Sequence, residues 1–321
     1  MEIKRIYQED CIKYHDILAT YIFQSVKNSM YEEKYSMQDA NRKCEELWRY
    51  LGSCKAIVFG AFDDKELIGF VWAYEYPYRD DTSRVYVSIL HVDECYRGKS
   101  IGKQLLYAIE EEAKRRGFRS IFLHAEAKNE GAIRFYNREG YRRERVQLVK
   151  MINEQYGGQI EMENYVRGGG VKKLSPRDVL ENEKILVYLL KCNIQSHKFM
   201  ESFSYEDGLM KIRGLGEYLK KEQAIAYAYK IMKKIEGFLW VYPHKYNGEK
   251  RFYLSVIVVS EKYRKKRIGS LMYQAAMEEI IQRGINKIYT HVDAENSISL
   301  RMHYKLGFKD EVYQFVKQEI I

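Results

Sequence analysis

Residues 92–111 read VDECYRGKSIGKQLLYAIEE, and residues 259–279 read VSEKYRKKRIGSLMYQAAMEE. Both stretches place Tyr-Arg before a polar turn, then Ile-Gly, then a run of mixed apolar and charged residues. Such an internal repeat has to be recognised before a fold is assigned, because a missed duplication changes every later interpretation. The copies differ at one notable place, where the first has Ser100 and the second has Arg267.

The repeat extends over most of the chain. Tyr96 corresponds to Tyr263, which sets an offset of 167 residues. The other matches at this offset are Ile101-Gly102 with Ile268-Gly269, Gly117 with Gly284, Asn129 with Asn296, and Gly140-Tyr141 with Gly307-Phe308. GFVW at 69–72 meets GFLW at 237–240 one residue further on, which a single extra loop residue explains. The spread of these matches indicates two duplicated domains.

Each copy predicts a mixed α/β domain. In the first copy, AIVFGAF and ELIGFVWAYEY flank a short turn as a hairpin, and RVYVSILHV follows as a strand. A helix comes next, since Leu105, Leu106, Ile109 and Ala113 fall on one helical face and Gly117 is placed to end it. SIFLHAEA, GAIRFYNRE and RVQLVKMI then predict a strand, a helix and a closing strand.

Two glycine clusters between the copies interrupt the periodicity. We therefore predict an N-terminal domain at 1–152, a linker or extra edge strand at 153–170, and a C-terminal domain at 171–321. The sequence Ser175-Pro176-Arg177-Asp178 supplies an N-cap, a first-turn proline and an acidic capping-box partner. It predicts the start of the first helix of the second domain.

Composition agrees with two globular domains. The chain has 321 residues, of which 46% are hydrophobic, enough for two separate cores. The formal net charge is +9, but the basic residues are distributed along the whole chain and no nucleic-acid-binding module is visible. We therefore expect no nucleic-acid partner.

The cysteines and the N-terminus bear on the compartment. The five cysteines form no C-x-x-C pair and no spaced Cys/His set, which predicts free thiols in a reducing compartment. The N-terminal residues lack a signal pattern, and no apolar run is long enough to cross a bilayer. We expect a cytoplasmic protein with no metal site and no membrane attachment.

The repeated phrase itself predicts an anion site. A polar turn lies between a strand and a helix, so that several backbone N–H groups converge at a helix N-terminus. The residues of this loop in the first copy are Arg97, Gly98, Lys99, Ser100, Ile101 and Gly102. The alternative is a tight strand-to-helix turn without a ligand.

Each copy resembles the GNAT superfamily of acyl-CoA-dependent N-acyltransferases. The loop is similar to the family's pyrophosphate loop, Arg/Gln-x-x-Gly-x-Gly/Ala, and Asn129, Ala132, Tyr136 and Gly140-Tyr141 resemble its later signature. The resemblance implies the α/β (α+β) class, with two tandem domains that each have a central mixed, mostly antiparallel sheet flanked by helices. It also implies acetyl-CoA as cofactor, with pyrophosphate on the loop amides, pantetheine on the backbone at Leu90 and Val92, and Asn129 in the cofactor site.

Acyl transfer to an amine needs a base for the amine proton, a donor for the oxyanion and an acid for the thiolate. The resemblance implies Tyr136 as the acid, and the alternative is a packing tyrosine. His124 is the candidate base, with Glu126 on the same strand face. Tyr86 would hold a bridging water, an arrangement similar to that of some protein N-terminal acetyltransferases in the superfamily. His124 could instead be a hydrogen-bonded strand histidine, and His91 is a weaker candidate for the base.

The second copy keeps Tyr253, His291 and Asn296 but changes two positions. Arg267 replaces Ser100, where the family usually has glycine, and His303 stands in the place of Tyr136. Arg267 could clamp a phosphate, or its side chain could fill the loop. We expect a degenerate second copy that binds CoA weakly or not at all.

The sequence therefore predicts transfer of acetyl from acetyl-CoA to a primary amine in the N-terminal domain. The alternative is a catalytically silent acyl-CoA sensor or scaffold. The acceptor is a small-molecule or peptide amine, and residues 23–52 are expected to shape its site. This segment carries the aromatics Phe23, Tyr31, Tyr35 and Trp48 and the acids Glu32, Glu33, Asp39, Glu45 and Glu46. Both a monomer with pseudo-dimeric halves and a homodimer agree with the duplication.

Overall fold

The computed structural model of the chain describes residues 1–27, 35–77, 83–152, 166, 168–194, 203–246 and 248–318. The strands are β1 (Glu2–Arg5), β2 (Ala56–Asp63), β3 (Glu66–Pro77), β4 (Ser83–Val92), β5 (Ser120–Glu126), β6 (Arg142–Met151), β7 (Gly169–Lys173), β8 (Ile225–Ile231), β9 (Lys234–Tyr246), β10 (Glu249–Val259), β11 (Lys287–Asp293) and β12 (Lys309–Gln318). The α-helices are α1 (Cys11–Lys27), α2 (Met37–Gly52), α3 (Ile101–Arg115), α4 (Glu130–Arg138), α5 (Pro176–Glu181), α6 (Glu183–Ile194), α7 (Tyr205–Lys220), α8 (Ile268–Gln282) and α9 (Ser297–Lys305).

The chain forms two compact units. Unit 1 comprises Met1–Arg145 and Val312–Ile321, and unit 2 comprises Val146–Glu311. The strand order is β1-β2-β3-β4-β5-β12 in unit 1 and β6-β11-β10-β9-β8-β7 in unit 2. In unit 1, β4 and β5 are parallel, while β1 with β2, β2 with β3, β3 with β4, and β5 with β12 are antiparallel. The predicted mixed, mostly antiparallel sheet is confirmed.

Each unit is completed by the last strand of the other repeat. In unit 1, β12 pairs with the whole of β5, and Phe315 and Val316 of β12 are fully buried. The strands β6 and β12 match at the repeat offset, and both carry the same Glu and Gln, at Glu144 and Gln147 and at Glu311 and Gln314. The sequence predicts a closing strand in each copy but not which sheet it joins. The predicted domain limits, 1–152 and 171–321, describe the two sequence repeats and not the two compact units. They stay a prediction.

The predicted linker at 153–170 falls largely outside the described residues. Its end is described, because β7 begins at Gly169 and pairs antiparallel with β8 at the edge of the unit 2 sheet. The helix start that follows is confirmed. Ser175 accepts a hydrogen bond from the backbone N–H of Asp178, the Asp178 side chain accepts one from Ser175, and proline occupies the first turn of α5.

Helix α3 positions the repeated loop against the sheet of unit 1. Leu105, Leu106, Ile109 and Ala113 are all fully buried, as the helical periodicity predicts. The helix ends at Arg115, and Gly117 follows with φ of 82°, the left-handed conformation that glycine adopts after a helix. Within the described residues, no helix is both long and apolar enough to span a membrane.

Glu112 of α3 joins the helix to its surroundings through three arginines. Its carboxylate accepts hydrogen bonds from Arg115 at 2.7 and 2.8 Å, from Arg116 at 2.8 Å and from Arg5 of β1 at 2.8 Å. The bonds from Arg115 and Arg116 and the charge of Arg5 lower the pKa of Glu112 to about 2. The ionised form is therefore favoured in the folded state more than in the unfolded state.

We predict that Glu112→Gln lowers the free energy of unfolding at pH 7 by at most about 3 kcal/mol, since one pKa unit corresponds to about 1.4 kcal/mol. The folded-state pKa is depressed, so this contribution is present above about pH 4.5 and is lost as the pH falls toward 2. Denaturant unfolding between pH 7 and pH 3 measures it. The exposed neighbour Glu111→Gln is the control, and equal effects of the two variants at every pH would contradict the prediction.

Candidate active site

The sheet of unit 1 opens between β4 and β5. The two parallel strands are paired at only three positions, from Val85 with Ile121 to Val87 with Leu123. Ser88 is then an extra residue in the pairing of β4 with β3, which is a bulge. Among the described residues, β4 is paired with β3 alone from Ile89 to Val92.

Leu90 and Val92, the residues predicted to hold pantetheine, lie in this stretch of β4 and are half-buried. Because β5 has left β4 at this point, the other edge of β4 is open to an extended ligand. A backbone edge without a strand partner can offer its N–H and C=O groups to such a ligand. The structure thus brings both predicted residues to an opening in the sheet.

The predicted phosphate loop lies at the end of β4, where a short 3-10 turn (Glu94–Tyr96) leads to α3. Gly98 has φ of 80° and Ser100 has φ of 59°, both in the left-handed region. The first hydrogen bond of α3 runs from Gln104 N–H to Ser100 C=O at 3.1 Å. The backbone N–H groups before Gln104, including those of Ile101 and Gly102, have no acceptor within the helix. They therefore point out of its N-terminal end. This is the geometry that binds anions at helix N-termini.

Two cations of the loop are engaged with the loop itself. The guanidinium of Arg97 donates to Val92 C=O at 3.1 Å and to the Glu94 carboxylate at 3.0 Å. Lys99 lies 4.8 Å above the ring of Tyr96. Arg97 therefore braces the turn between β4 and α3, and Ser100 makes no side-chain cap.

Asn129 begins α4, where its side-chain oxygen accepts from Ala132 N–H at 3.0 Å. In the structure its side chain is an N-cap, a role that accounts for its repetition as Asn296, which accepts from Ser299 N–H. The cap fixes where α4 starts. It thereby sets the position of Tyr136 on the same helix.

Tyr136 packs among aromatic rings, with ring centroids 5.3 Å from Phe135, 5.8 Å from Phe315 and 6.0 Å from Tyr141. Burial raises the pKa of Tyr136 to about 12. The phenol is fully protonated at neutral pH, so it can donate a hydrogen bond or a proton.

His124 and Tyr86, predicted to act together, are in contact. The Tyr86 hydroxyl lies 3.3 Å from His124 Nδ1, and His124 is one residue beyond Leu123, the last residue of β5 that pairs with β4. The protein surroundings of His124 lower its pKa through desolvation, partly offset by a hydrogen bond with Gln314, and the residue remains exposed to solvent on one side. The ring is therefore neutral at pH 7 and able to accept a proton.

His91, the weaker candidate for the base, lies elsewhere. It is 5% exposed, its ring stacks on Tyr21 at 4.5 Å, and Nδ1 is 2.9 Å from the Ser25 hydroxyl of α1. Burial lowers the pKa of His91 to about 4. The structure thus places His91 under α1, away from the contact between His124 and Tyr86.

A row of aromatic rings extends from His124 toward α2. It was not predicted from the sequence. Tyr50 of α2 stacks on Tyr74 at 5.2 Å, and Tyr74 meets Tyr86 edge-on at 5.3 Å. Tyr76 and Phe122 complete the row, 5.4 Å apart. The available signal was the spacing of Tyr74 from Tyr76 and of Phe122 from His124, because alternate strand residues share one face of a sheet.

The segment expected to shape the acceptor site is described in part. Tyr31, Glu32 and Glu33 lie outside the described residues. Trp48 is buried and donates from Nε1 to His15 at 3.1 Å, so it belongs to the core. Asp39 is the capping-box partner of the N-cap residue Ser36 at the start of α2, Phe23 stacks on Tyr35, and Glu45 is exposed. Glu46 lines a surface hollow together with Tyr50, which connects this part of α2 with the aromatic row.

The corresponding loop of unit 2 has the same backbone conformation as the loop of unit 1. Lys265 has φ of 62° and Arg267 has φ of 59°, and Leu271 N–H donates to Arg267 C=O at 3.0 Å. Arg267 thus takes the conformation of Ser100, and its side chain is exposed. The loop geometry is retained at a conformational cost of about 1–2 kcal/mol for each of these non-glycine residues.

His303 of unit 2 differs chemically from Tyr136. It is 2% exposed, and Nδ1 is 2.8 Å from the Ser299 carbonyl oxygen, to which it must donate. Burial lowers the pKa of His303, so the ring is neutral at pH 7 and its proton resides on Nδ1. Nε2 is buried, has no partner within the described part of the chain, and carries no proton that it could give.

Both repeats are similar to known proteins. Two segments, 21–141 and 186–308, match the model of the Acetyltransferase (GNAT) family. N-alpha-acetyltransferase 30 of Schizosaccharomyces pombe is 36% identical over 83 residues, which are 26% of this chain and 55% of that protein. Mycothiol acetyltransferase of Rhodococcus jostii is 32% identical over 90 residues, 27% of this chain and 29% of that protein. The chain thus spans about half the length, or less, of these two curated relatives.

Two solved structures resemble the whole chain. A tandem GNAT protein from the clavulanic acid biosynthesis pathway has a TM-score of 0.53 at 12% identity, covering 99% of this chain and 98% of that one. A GCN5-related N-acetyltransferase from Sphaerobacter thermophilus has a TM-score of 0.61 at 17% identity, covering 99% and 95%. At such low identity they show the fold. The family matches, one in each repeat and together most of the chain, show that this protein belongs to the acetyltransferase (GNAT) family.

Proposed function

We propose that unit 1 transfers the acetyl group of acetyl-CoA to a primary amine, by direct attack of the amine through a tetrahedral intermediate. The observation that carries the proposal is the contact of His124 with Tyr86 at 3.3 Å, placed where β4 begins to leave β5. The opening for an extended cofactor and the anion-binding loop belong to the segment from β4 to α3, and the base lies on the neighbouring strand β5.

The residues of the loop fit the pyrophosphate of CoA. A Cβ added at Gly98 would meet nothing within 4 Å, so the surface above the loop is open. Gly98 and Ser100 present only a hydrogen atom and a small side chain there. The amides of the first turn of α3 would hold the phosphates, and β4 at Leu90 and Val92 would hold the pantetheine chain. Bound acetyl-CoA supplies an acetyl group activated as a thioester.

His124 would take the proton of the attacking amine. The neutral imidazole accepts it through the Tyr86 hydroxyl or a bridging water, since Nδ1 already faces that hydroxyl. The amine nitrogen then forms its bond to the carbonyl carbon, and the C–S bond breaks. Tyr136, which is protonated at neutral pH, supplies the proton or hydrogen bond that the departing thiolate needs.

The acceptor is proposed as a primary amine on a peptide or a small molecule. The aromatic row from Tyr50 to Tyr86 provides π-faces that attract an ammonium group before it is deprotonated, and Glu46 lies at the far end of the row, beside Tyr50. The names of the similar proteins include both an N-alpha-acetyltransferase and a mycothiol acetyltransferase. We therefore propose no narrower class.

Unit 2 is proposed to lack turnover. Its loop carries an arginine in place of Ser100, and His303 has no proton to give at the position of Tyr136. The retained His291 supplies a matched control for His124.

We predict that His124→Ala and Tyr136→Phe each lower kcat/KM for acetyl transfer by about 10²–10³, the range of a lost general base or acid. His291→Ala should leave the rate within about twofold. A panel of peptide, polyamine and aminoglycoside amines with saturating acetyl-CoA provides the assay. Unchanged rates in both unit 1 variants would contradict the assigned roles, and CoA binding without turnover of any amine would favour a silent sensor.

A further inference from the structure

His124 is the end of a buried chain of polar groups in unit 1. Arg84 Nη1 lies 3.0 and 2.9 Å from the two oxygens of Glu144, and both side chains are buried. The side-chain amide of Gln314 donates to Glu144. Gln314 is the direct cross-strand partner of His124 on β12, and its side chain acts on the imidazole to raise the pKa of His124.

Unit 2 contains the same four residue types at the repeat offset. Arg251 Nη1 lies 2.7 Å from Glu311, Gln147 Nε2 donates to Glu311 at 2.7 Å, and Gln147 Oε1 lies 3.0 Å from His291 Nε2. In each unit the glutamine belongs to the strand that the other repeat contributes. Both copies of the duplicated domain thus retain the same four residues in the same arrangement.

The chain of donors and acceptors determines where the proton of His124 resides. The Glu144 carboxylate is paired with Arg84 and accepts hydrogen bonds, so the NH₂ group of Gln314 faces it. The carbonyl oxygen of Gln314 is then left for the imidazole, which must donate to it. Since Nδ1 faces Tyr86, the donating atom is Nε2, the atom that His291 uses in unit 2.

We infer that Gln314, contributed by the second repeat, is a positioning residue for His124 that holds the proton on Nε2 and keeps the Nδ1 lone pair directed at Tyr86. The inference deepens the proposed function and depends on it. The carbonyl oxygen of Gln314 also stabilises the imidazolium that forms when Nδ1 accepts a proton. The second repeat is therefore part of the active site of unit 1 although its own unit is proposed to be silent.

The charged and titratable groups around His124 agree with this role. Glu144 and Arg145 of β6 act on the ring with opposite signs, Tyr86 of β4 faces Nδ1, and the hydrogen bond with Gln314 raises the pKa of His124 against the desolvation that lowers it. Removing the Gln314 carbonyl should therefore lower the pKa of His124 further. The acidic limb of the kcat/KM profile should move to lower pH as a result.

The test compares Gln314→Met with its counterpart Gln147→Met, which removes the same bonds in unit 2. We predict that Gln314→Met lowers kcat/KM about tenfold, moves the acidic limb to lower pH and leaves the KM for acetyl-CoA unchanged. Gln147→Met should change none of these. Equal effects of the two variants, or a loss of rate without a shift of the limb, would overturn the inference.

A second measurement leaves the residues of β12 unchanged. Nitrogen-15 NMR of histidine-labelled wild-type protein, with His124 assigned by its absence in His124→Gln, reports which ring nitrogen carries the proton. The inference requires the Nε2–H form, and an Nδ1–H form would overturn it. This readout is independent of the proposed function, which fails instead if His124→Ala keeps full activity while the tautomer is as inferred.

Discussion

The pairing of β5 with β12 is the interaction on which the candidate site depends. On its other side, β5 is joined to β4 by only three residue pairs before the two strands separate. An opening at that point would weaken the sheet unless β5 were held along its length elsewhere. The register from Ser120 with Gln318 to Glu126 with Val312 provides that support, so the opening of the sheet and the position of His124 have a common origin.

The strand that supports β5 comes from the second repeat, so the sheet of unit 1 contains a strand from each copy. A single repeat would have to close its sheet with its own last strand. In this chain each closing strand instead carries a glutamine to the histidine of the other repeat's β5-like strand. If unit 2 has lost turnover, β12 would still be under selection, because it completes the sheet of unit 1.

The sequence predicted the fold well where the pattern is local or repeated. The offset of 167 residues correctly indicated duplication, and the face of α3 and the capping box of α5 were predicted from spacing. The pairing of Tyr86 with His124 was expected from the family resemblance, through a bridging water, and the structure places the two side chains in direct contact. The sequence did not predict that β12 would join the sheet of unit 1 and β6 that of unit 2, because both strands carry the same glutamate and glutamine at matching positions. The partnership of Gln314 with His124 followed from that arrangement and was hidden for the same reason.

Other residues of the candidate site could not be assigned a position from the sequence. In a chain with 29 tyrosines, the spacing of Tyr74 and Tyr76 placed them on one face of a strand, but their contact with Tyr86 became visible only when the strands were paired. Trp48 was expected near the acceptor, but its indole is buried and bonded to His15. Arg267 could not be interpreted from the sequence alone, since only the structure shows that it adopts the same left-handed backbone as Ser100.

The central claim, that unit 1 is the working half, is tested most directly by calorimetric titration of acetyl-CoA into the intact chain. We predict one equivalent bound, with binding lost in Ser100→Arg, which copies the residue of the second loop, and unchanged in Arg267→Gly. Two equivalents in the wild-type protein, or one equivalent that survives Ser100→Arg, would contradict the account. Either result would mean that an exposed arginine at this position leaves the loop able to bind the cofactor.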